Sequence, residues 1–257
     1  MTNYYLDTTA LIERWAGEAR VREEILALLD GGDHATSSHV RREWKRIIDG
    51  TAADVLNAIR DGQDDFGSIF ARLAQGWGRQ PGQRLRVLAM LANQLRNSSP
   101  VELQLRAQQI LRCGSKQMFM HHIQEVRDGS ECGLAKNEVR RGRDGRYALI
   151  DRCKRTDEIC RQDQYVQDEL PRWEGASQGL VDHSNRPSDQ NMGKLGLELA
   201  ASSAKRKGRN CYDKTGDISI SLECDPDEVL LTTDQSFESM ATKTGMSVKR
   251  IKATSPP

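Results

Sequence analysis

This sequence has few aromatic residues, no long apolar run and almost equal numbers of basic and acidic side chains. Aromatic side chains make up 5% of its 257 residues, which argues against the stacking platform that single-strand binders use. The 38 basic and 37 acidic side chains leave a net charge of +1, which excludes a histone-like or tail-driven nucleic-acid binder but allows a local basic patch. The longest nearly apolar stretch, Leu85–Leu95, contains Arg86 and is far shorter than the roughly 20 residues of a membrane span. We therefore expect a protein without membrane segments.

The sequence predicts neither an export signal nor a secreted scaffold held together by disulfides. The start of the chain has no basic segment and reaches an acid at Asp7, so it does not predict a signal peptide. Six cysteines in a chain of this length then favour a reducing cytoplasm. Cys132, Cys153 and Cys160 allow a structural zinc site, but the six residues between the last two exceed the usual spacing of two to four. Separate buried thiols are the alternative.

Both ends of the chain alternate between strand and helix patterns. The first fifty residues predict a strand at Tyr4–Leu6, a helix capped by Thr8 or Thr9, a strand at 34–37 and a helix capped by Ser38. The last sixty predict helices over 195–205, from 217 and from 237, with strands at 229–232 and 248–251. Such alternation indicates an α/β fold with a central, mainly parallel sheet.

The middle of the chain has a different pattern. Residues 50–193 are mostly helical in their apolar spacing, with a capping box at Ser99 and Glu102. A hairpin that turns at Asp144-Gly145 is expected within 138–150, and the Gly-, Ser- and Asn-rich stretch 175–193 predicts a mobile loop. The simplest organisation is one α/β domain, residues 1–49 and 194–257, interrupted by a mostly helical insertion at 50–193.

Four acids stand at the ends of predicted elements. Asp7 ends the first strand, Glu43 lies in the helix after the second strand, Asp217 opens a helix and Asp234 follows a late strand. Functional groups of open α/β sheets collect beyond the carboxyl ends of the strands. Acids gathered there would repel one another unless a cation lay between them, and hard oxygen ligands suit Mg²⁺ or Mn²⁺.

Each of these acids also has an ordinary explanation. Asp is a common helix cap, so Asp7, Asp217 or Asp234 alone could be a cap, and Glu43 alone could be a solvated helix residue. The set of four, each at the appropriate end of its element, is what predicts a metal site.

The segments that carry these acids resemble a known family. The stretch Leu6-Asp7-Thr8-Thr9, a serine six residues before Glu43, the stretch Gly216-Asp217-Ile218 and the stretch Thr232-Thr233-Asp234 with Phe237 after it look like the four acidic motifs of PIN-domain nucleases. The resemblance covers about 110 residues, 1–49 and 194–257, in the family's order. It implies a PIN-like three-layer α/β fold.

The resemblance also implies a function. Family members are divalent-metal-dependent endonucleases that usually act on RNA, often as the toxin half of a toxin–antitoxin pair, so an inhibitory protein partner and a homodimer are expected. Asp7, Glu43, Asp217 and Asp234 would be the catalytic and metal-binding acids. Thr8 and Thr233 occupy small polar positions that help to orient water or phosphate. Asp213 could be a further supporting acid or only a loop acid.

The sequence departs from the family in two respects. The compact members have no counterpart of the long stretch between the second and third motifs, and Ser236 stands where many members carry another acid. The second difference leaves the number of metal ions open.

A basic cluster leads into the third motif. Phosphate contacts carry most nucleic-acid affinity, so this cluster is predicted to bind substrate, with a solvated face as the alternative. Its members are Lys205, Arg206, Lys207, Arg209 and Lys214.

The sequence is compatible with two other functions. One is a PIN-like module that binds RNA or a protein partner without cleaving. The other is a structure-specific nuclease that acts on DNA, since recognition of the 2′-hydroxyl group leaves no motif in this sequence.

Overall fold

The computed structural model describes residues 2–63, 65–77, 82–93, 99–129, 139–149, 161–201 and 215–252. The strands are β1 (Tyr4–Leu6), β2 (Ala35–Ser37), β3 (Glu125–Arg127), β4 (Val139–Arg141), β5 (Tyr147–Leu149), β6 (Val229–Thr232) and β7 (Ser247–Arg250). The helices are α1 (Thr8–Ala16), α2 (Ala19–Leu28), α3 (Ser38–Arg60), α4 (Phe66–Gly76), α5 (Gly82–Asn93), α6 (Pro100–Gln109), α7 (Ser115–Met120), α8 (Arg161–Asp168), α9 (Leu170–His183), α10 (Pro187–Ala201), α11 (Gly216–Glu223) and α12 (Ser236–Thr244). A single π-helical turn at Ile110–Gly114 joins α6 to α7. Within these described ranges, every helix is too short or too polar to cross a membrane.

Five strands form a parallel central sheet in the order β3-β2-β1-β6-β7. Tyr5 in β1 lies beside Ala35 of β2 on one side and beside Leu230 of β6 on the other. All three residues of β1 are buried, as expected for a parallel strand that is covered on both faces. The predicted α/β fold with a central parallel sheet is confirmed.

Most elements at both ends of the chain follow the predictions, but the helix predicted over 195–205 begins earlier, at Pro187, and two helix caps differ from those predicted. The structure places the strands at 4–6 and 229–232 as predicted. The cap of α1 is Asp7 rather than Thr8 or Thr9, because the Asp7 carboxylate accepts a hydrogen bond from the Thr9 backbone N–H. The cap of α3 is Ser37 rather than Ser38, and its hydroxyl accepts from the backbone N–H of Val40. In both cases the capping residue is the last one with extended backbone.

The predicted hairpin is confirmed. β4 and β5 are antiparallel, and Gly145 in their turn has φ = +77°, a conformation that glycine adopts without strain. The side-chain amide of Asn57 in α3 both donates to the Tyr147 carbonyl and accepts from the Tyr147 N–H, each at 2.9 Å. This pair of hydrogen bonds attaches the hairpin to α3.

Two elements link the predicted α/β domain to the predicted insertion. α3 runs without a break from Ser38 to Arg60, so it crosses the proposed boundary at residues 49 and 50. β3 lies between 50 and 193, yet it pairs with β2 at the edge of the central sheet. Its charged, partly exposed sequence Glu125-Val126-Arg127 has no strand signature, since edge strands need no continuous apolar run. The division of the chain into domain and insertion stays a prediction.

The predicted mobile loop at 175–193 is wrong. This stretch forms most of α9 and the first half of α10, which pack against each other. Its glycines are contact points rather than breaks: a Cβ atom on Gly193 would lie 2.5 Å from the Ser177 carbonyl oxygen, and one on Gly179 would lie 2.5 Å from that of Ser239. Glycine at these positions lets the helices approach closely.

Candidate functional site

The candidate site lies where the order of strands along the chain reverses. The chain passes from β1 to β2 on one side, whereas β6 pairs with β1 on the other side. In open α/β sheets, ligands bind in the crevice beyond the carboxyl ends of the strands at such a point. Asp7 directly follows β1, and its backbone N–H donates to the Leu231 carbonyl of β6 at 3.1 Å. Asp234 lies two residues beyond the end of β6.

The four predicted acids line one cleft of about 690 Å³ at this edge of the sheet. Asp7 is buried, and Glu43, Asp217 and Asp234 are partly exposed. They come from four separate segments of the chain: the end of β1, α3, the first turn of α11 and the turn before α12. The structure therefore brings together acids that are far apart in the sequence.

Two threonines hold one oxygen of Asp7. The Asp7 Oδ2 atom accepts hydrogen bonds from the hydroxyl of Thr9 at 2.6 Å and from that of Thr232 at 2.8 Å. The backbone N–H of Thr233 donates to the Thr9 hydroxyl at 3.0 Å, and that of Asp234 donates to the Thr232 hydroxyl at 2.9 Å. This network ties the end of β1 to the end of β6 and fixes the Asp7 carboxylate.

Thr8 holds Glu43 in the same way. Its hydroxyl donates to Glu43 Oε2 at 2.6 Å. The other oxygen, Oε1, faces the start of α11, since a Cβ atom on Gly216 would lie only 3.7 Å from it. Glu43 and Asp217 therefore lie side by side across the contact between α3 and α11.

Asp234 has a basic partner that the sequence reasoning missed. Arg186, between α9 and α10, donates to Asp234 Oδ1 at 2.5 Å and to Asp189 Oδ2 at 2.8 Å. The backbone N–H of Ser236 also donates to Asp234 Oδ1, at 2.9 Å. This ion pair neutralises part of the acidic charge at the mouth of the cleft.

Burial and mutual repulsion raise the pKa of three of the carboxyl groups. Burial is the main reason that the pKa of Glu43 rises to about 7, with the charge of Asp7 adding to it and the Thr8 hydrogen bond opposing it. The pKa of Asp217 is raised well above its usual range, first by burial and then by the charge of Glu43. Burial also raises the pKa of Asp7, although its two threonine hydrogen bonds oppose the shift. A positive charge in the cleft would relieve this repulsion.

The donor atoms suit a hard divalent cation. Carboxylate oxygens are the ligands that Mg²⁺ and Mn²⁺ prefer, and no described side chain donates a hydrogen bond to Asp217. Among the described side chains, however, no group of three or more His, Cys, Asp or Glu residues is arranged to hold a metal ion. Carboxylates repel one another when no cation lies between them, and Asp234 forms an ion pair with Arg186. The carboxylate oxygens are ligands of the type that a divalent ion prefers. The acids would have to move closer together to bind such an ion.

Basic and aromatic side chains also line the cleft, and we call them the basic and aromatic wall. They are Arg46, which lies one turn after Glu43 on α3, with Trp77 and Arg84. Asp54 positions two of them, because it accepts from Trp77 Nε1 at 2.8 Å and from Arg84 at 2.9 Å. The Arg84 guanidinium also lies 5.7 Å from the centre of the Trp77 ring. Trp77 and Arg84 were not predicted, because α4, which Trp77 follows, and α5 were assigned to the insertion. Arg46 was not singled out in the sequence.

Some predicted site residues lie outside the described part of the chain. These are the proposed zinc ligands Cys132, Cys153 and Cys160, the acid Asp213, and the basic cluster Lys205, Arg206, Lys207, Arg209 and Lys214. Thr233, which was predicted to orient water or phosphate, contributes its backbone N–H to Thr9.

The sequence held a partial signal for the missed residues. Thr9 and Thr232 each adjoin a threonine that was singled out. Thr232 is the last residue of β6, whereas Thr8 and Thr9 both lie in the first turn of α1 and both hydrogen-bond to site acids. Nothing in the sequence connects Arg186 with Asp234.

The cleft is lined by four carboxylates and by cationic side chains. Such an arrangement can bind a divalent cation and an anionic ligand next to each other. The chain matches no known protein family, no curated protein and no solved structure.

Proposed function

We propose that this protein is a divalent-metal-dependent endonuclease with a PIN-like fold that hydrolyses phosphodiester bonds in RNA. The observation that carries this proposal is the cleft of four acids at the carboxyl edge of a parallel sheet. Three of these carboxyl groups have pKa values raised by burial and by their neighbours' charge. The order of the acidic motifs along the chain, which resembles that of PIN-domain nucleases, supports the same assignment.

The four acids would hold one or two Mg²⁺ or Mn²⁺ ions. A bound divalent ion supplies the positive charge that lowers the pKa of a water molecule and stabilises negative charge on a phosphodiester. The chain's own threonines keep the acids in place: Thr8 orients Glu43, and Thr9 and Thr232 orient Asp7. Hydrolysis by water would leave a 5′-phosphate and a 3′-hydroxyl end.

The basic and aromatic wall is the proposed place for the nucleic-acid backbone. Arg46 and Arg84 can contact phosphate groups, and the ring of Trp77 can contact the face of a base. Because Asp54 fixes Trp77 and Arg84, little side-chain freedom is lost when a strand binds.

The second candidate is a PIN-like module that binds RNA or a partner without cleaving it. The ion pair between Arg186 and Asp234 favours this candidate, because it occupies an oxygen that the metal would otherwise use. The lack of a ready three-ligand group among the described residues is a second observation in its favour.

Cleavage of labelled nucleic acids separates these candidates. The purified chain is incubated with single-stranded RNA, duplex DNA and branched DNA, each with Mn²⁺ or with a chelator. We expect Mn²⁺-dependent cleavage of RNA. Losing a partner of a metal ligand costs about 10–100-fold in activity, so Asp7→Asn and Asp217→Asn, which remove ligands outright, are expected to cost at least about 100-fold.

Asp227→Asn is the matched control, since Asp227 is an exposed acid outside the cleft. Cleavage at the wild-type rate by the Asp7 and Asp217 variants would contradict the proposed site. RNA binding in a mobility-shift assay without cleavage under any metal condition would favour the binding module, and preferential cleavage of branched DNA would assign the site to DNA.

A further inference from the structure

A second pocket lies on the opposite face of α3 from the acidic cleft. It has a volume of about 270 Å³. Glu43, Arg46 and Ile47 of α3 line the acidic cleft, whereas Arg41 and Lys45 line this second pocket. One helix therefore separates two spaces of opposite charge.

Four cations surround this space, which we call the basic pocket: Arg41, Lys45, Arg112 and Lys116. Within the described ranges, Arg41, Arg112 and Lys116 form no ion pair. Cations that gather without acidic partners repel one another, so the arrangement favours an anion between them.

The basic pocket contains one acid. Asp49 is 8% exposed. Burial raises the pKa of its carboxyl group, and a hydrogen bond from Ser115 and the charge of Lys45 oppose that rise. Its Oδ1 atom is buried without a hydrogen-bond partner among the described residues. With one acid and four cations in its lining, the pocket has an excess of positive charge.

The π-helical turn between α6 and α7 supplies one wall. Leu111, Arg112 and Cys113 of this turn line the pocket. Such turns are rare and often occur at functional sites, because they displace side chains from the regular helical positions. Here the turn places Arg112 opposite the cations of α3.

We propose that the basic pocket binds the phosphate group of a small ligand. The planar guanidinium groups of two arginines and the ammonium groups of two lysines are the side chains that bind phosphate best. The volume is just below the usual range for small-molecule pockets, about 300–1,000 Å³, so the ligand is a single phosphate group with at most a small substituent. The source is either a free phosphate ester or the terminal phosphate of a short oligonucleotide.

Titration calorimetry with inorganic phosphate, adenosine 5′-monophosphate and a 5′-phosphorylated dinucleotide tests the proposal. Potassium chloride keeps the ionic strength constant, so that general screening of charge does not contribute. We expect at least one probe to bind the wild-type chain with a Kd below about 1 mM. A dinucleotide at least about tenfold tighter than the monophosphate would identify an oligonucleotide end as the source, and otherwise the source is a free ester.

The double variant Arg112→Gln with Lys116→Gln removes two exposed cations of the pocket. Charge-assisted hydrogen bonds are strong enough that its binding is expected to weaken at least about tenfold. The control is Arg22→Gln with Lys249→Gln, which makes the same change in net charge at exposed positions elsewhere and is expected to bind like the wild type. Equal affinity of the two double variants, or no binding by any probe up to about 10 mM, would overturn the proposal.

Cys113 gives a second measurement at the site itself. Its thiol is exposed and lines the pocket, whereas Cys224 is buried. Bound phosphate is expected to slow alkylation of Cys113 by iodoacetamide several-fold, measured by mass spectrometry of its peptide, without changing the rate at Cys224. An unchanged Cys113 rate at saturating phosphate would place the anion elsewhere and contradict the proposal.

Discussion

At the scale of single residues, Asp7 shows how one side chain serves both the fold and the candidate site. Its Oδ2 atom caps α1 and accepts the hydroxyl hydrogens of two threonines. Among the described residues, no donor reaches its Oδ1 atom. The cap interpretation and the metal-ligand interpretation were alternatives in the sequence, yet they use different oxygens and are compatible in the structure.

Asp49 is a second buried acid whose charge opposes folding. Burial raises its pKa from 3.8 to about 6, so the folded chain holds this proton more tightly than the unfolded chain does. The contribution of Asp49 to the free energy of unfolding is complete below pH 3.8 and is lost as the pH rises from there through about 6. A shift of about two pKa units corresponds to at most about 3 kcal/mol.

Asp49→Asn is therefore expected to stabilise the protein above pH 7. The amide keeps an acceptor for Ser115 and carries no charge. We expect its Tm to exceed that of the wild type by about 2–6 °C at pH 8, with about half that difference at pH 5, measured by thermal unfolding monitored by circular dichroism. A difference of the same size at both pH values would show that the carboxylate charge is not the cause.

At the scale of elements, the strands were predictable and the packing of the helices was not. Tyr4–Leu6 and Val229–Thr232 are short apolar runs that precede an acid or a small polar pair, and burial on both faces of a parallel sheet demands such runs. β3 has no such requirement because it lies at the edge. The glycine-rich stretch that forms α9 and α10 was wrongly predicted to be a loop, because glycine weakens a helix in isolation. In the fold, glycine fits where two helices touch.

The contact between α9 and α12 allows a direct test of this explanation. Gly179 in α9 lies against the backbone of Ser239 in α12, so Gly179→Ala forces the two helices apart. Overpacking costs about 1–3 kcal/mol, which exceeds the helix-propensity gain of about 0.5–1 kcal/mol.

Gly76→Ala is the matched control, since nothing lies within 4 Å of a Cβ atom at that position of α4. We expect Gly179→Ala to lower the free energy of unfolding in urea and Gly76→Ala to raise it slightly. If Gly179→Ala is as stable as the wild type, the glycines of this helix pair are not needed for close approach.

At the scale of the whole molecule, the sheet explains how much of the candidate site the sequence could indicate. Acids at or just beyond the ends of strands, such as Asp7 and Asp234, can be placed by topology, because parallel strands end at one edge. Arg186 and Trp77 reach the same region from segments whose path is set by helix packing. No local pattern encodes that path, so these residues became visible only in the folded chain.

The acidic cleft also makes a prediction about the stability of the whole protein. In the folded chain, the pKa values of Glu43 and Asp217 are raised, so repulsion in the cleft grows and stability falls as pH rises through about 7, the value of Glu43. A cation that binds only the folded cleft would reverse this loss by mass action.

Asp217→Asn is expected to raise the Tm at pH 8 without metal by about 2–6 °C, because it removes a carboxyl group whose charged form the cleft destabilises. Adding Mn²⁺ is expected to stabilise the wild type, and to stabilise the variant less, since a ligand is gone. Differential scanning calorimetry with and without chelator measures both effects, with Asp227→Asn as the control for loss of an exposed acid. A wild-type Tm that does not respond to Mn²⁺ or Mg²⁺, together with an unchanged Tm in Asp217→Asn, would mean that the four carboxylates neither repel one another nor share a cation. The cleft would then owe its shape to the threonine and arginine contacts alone.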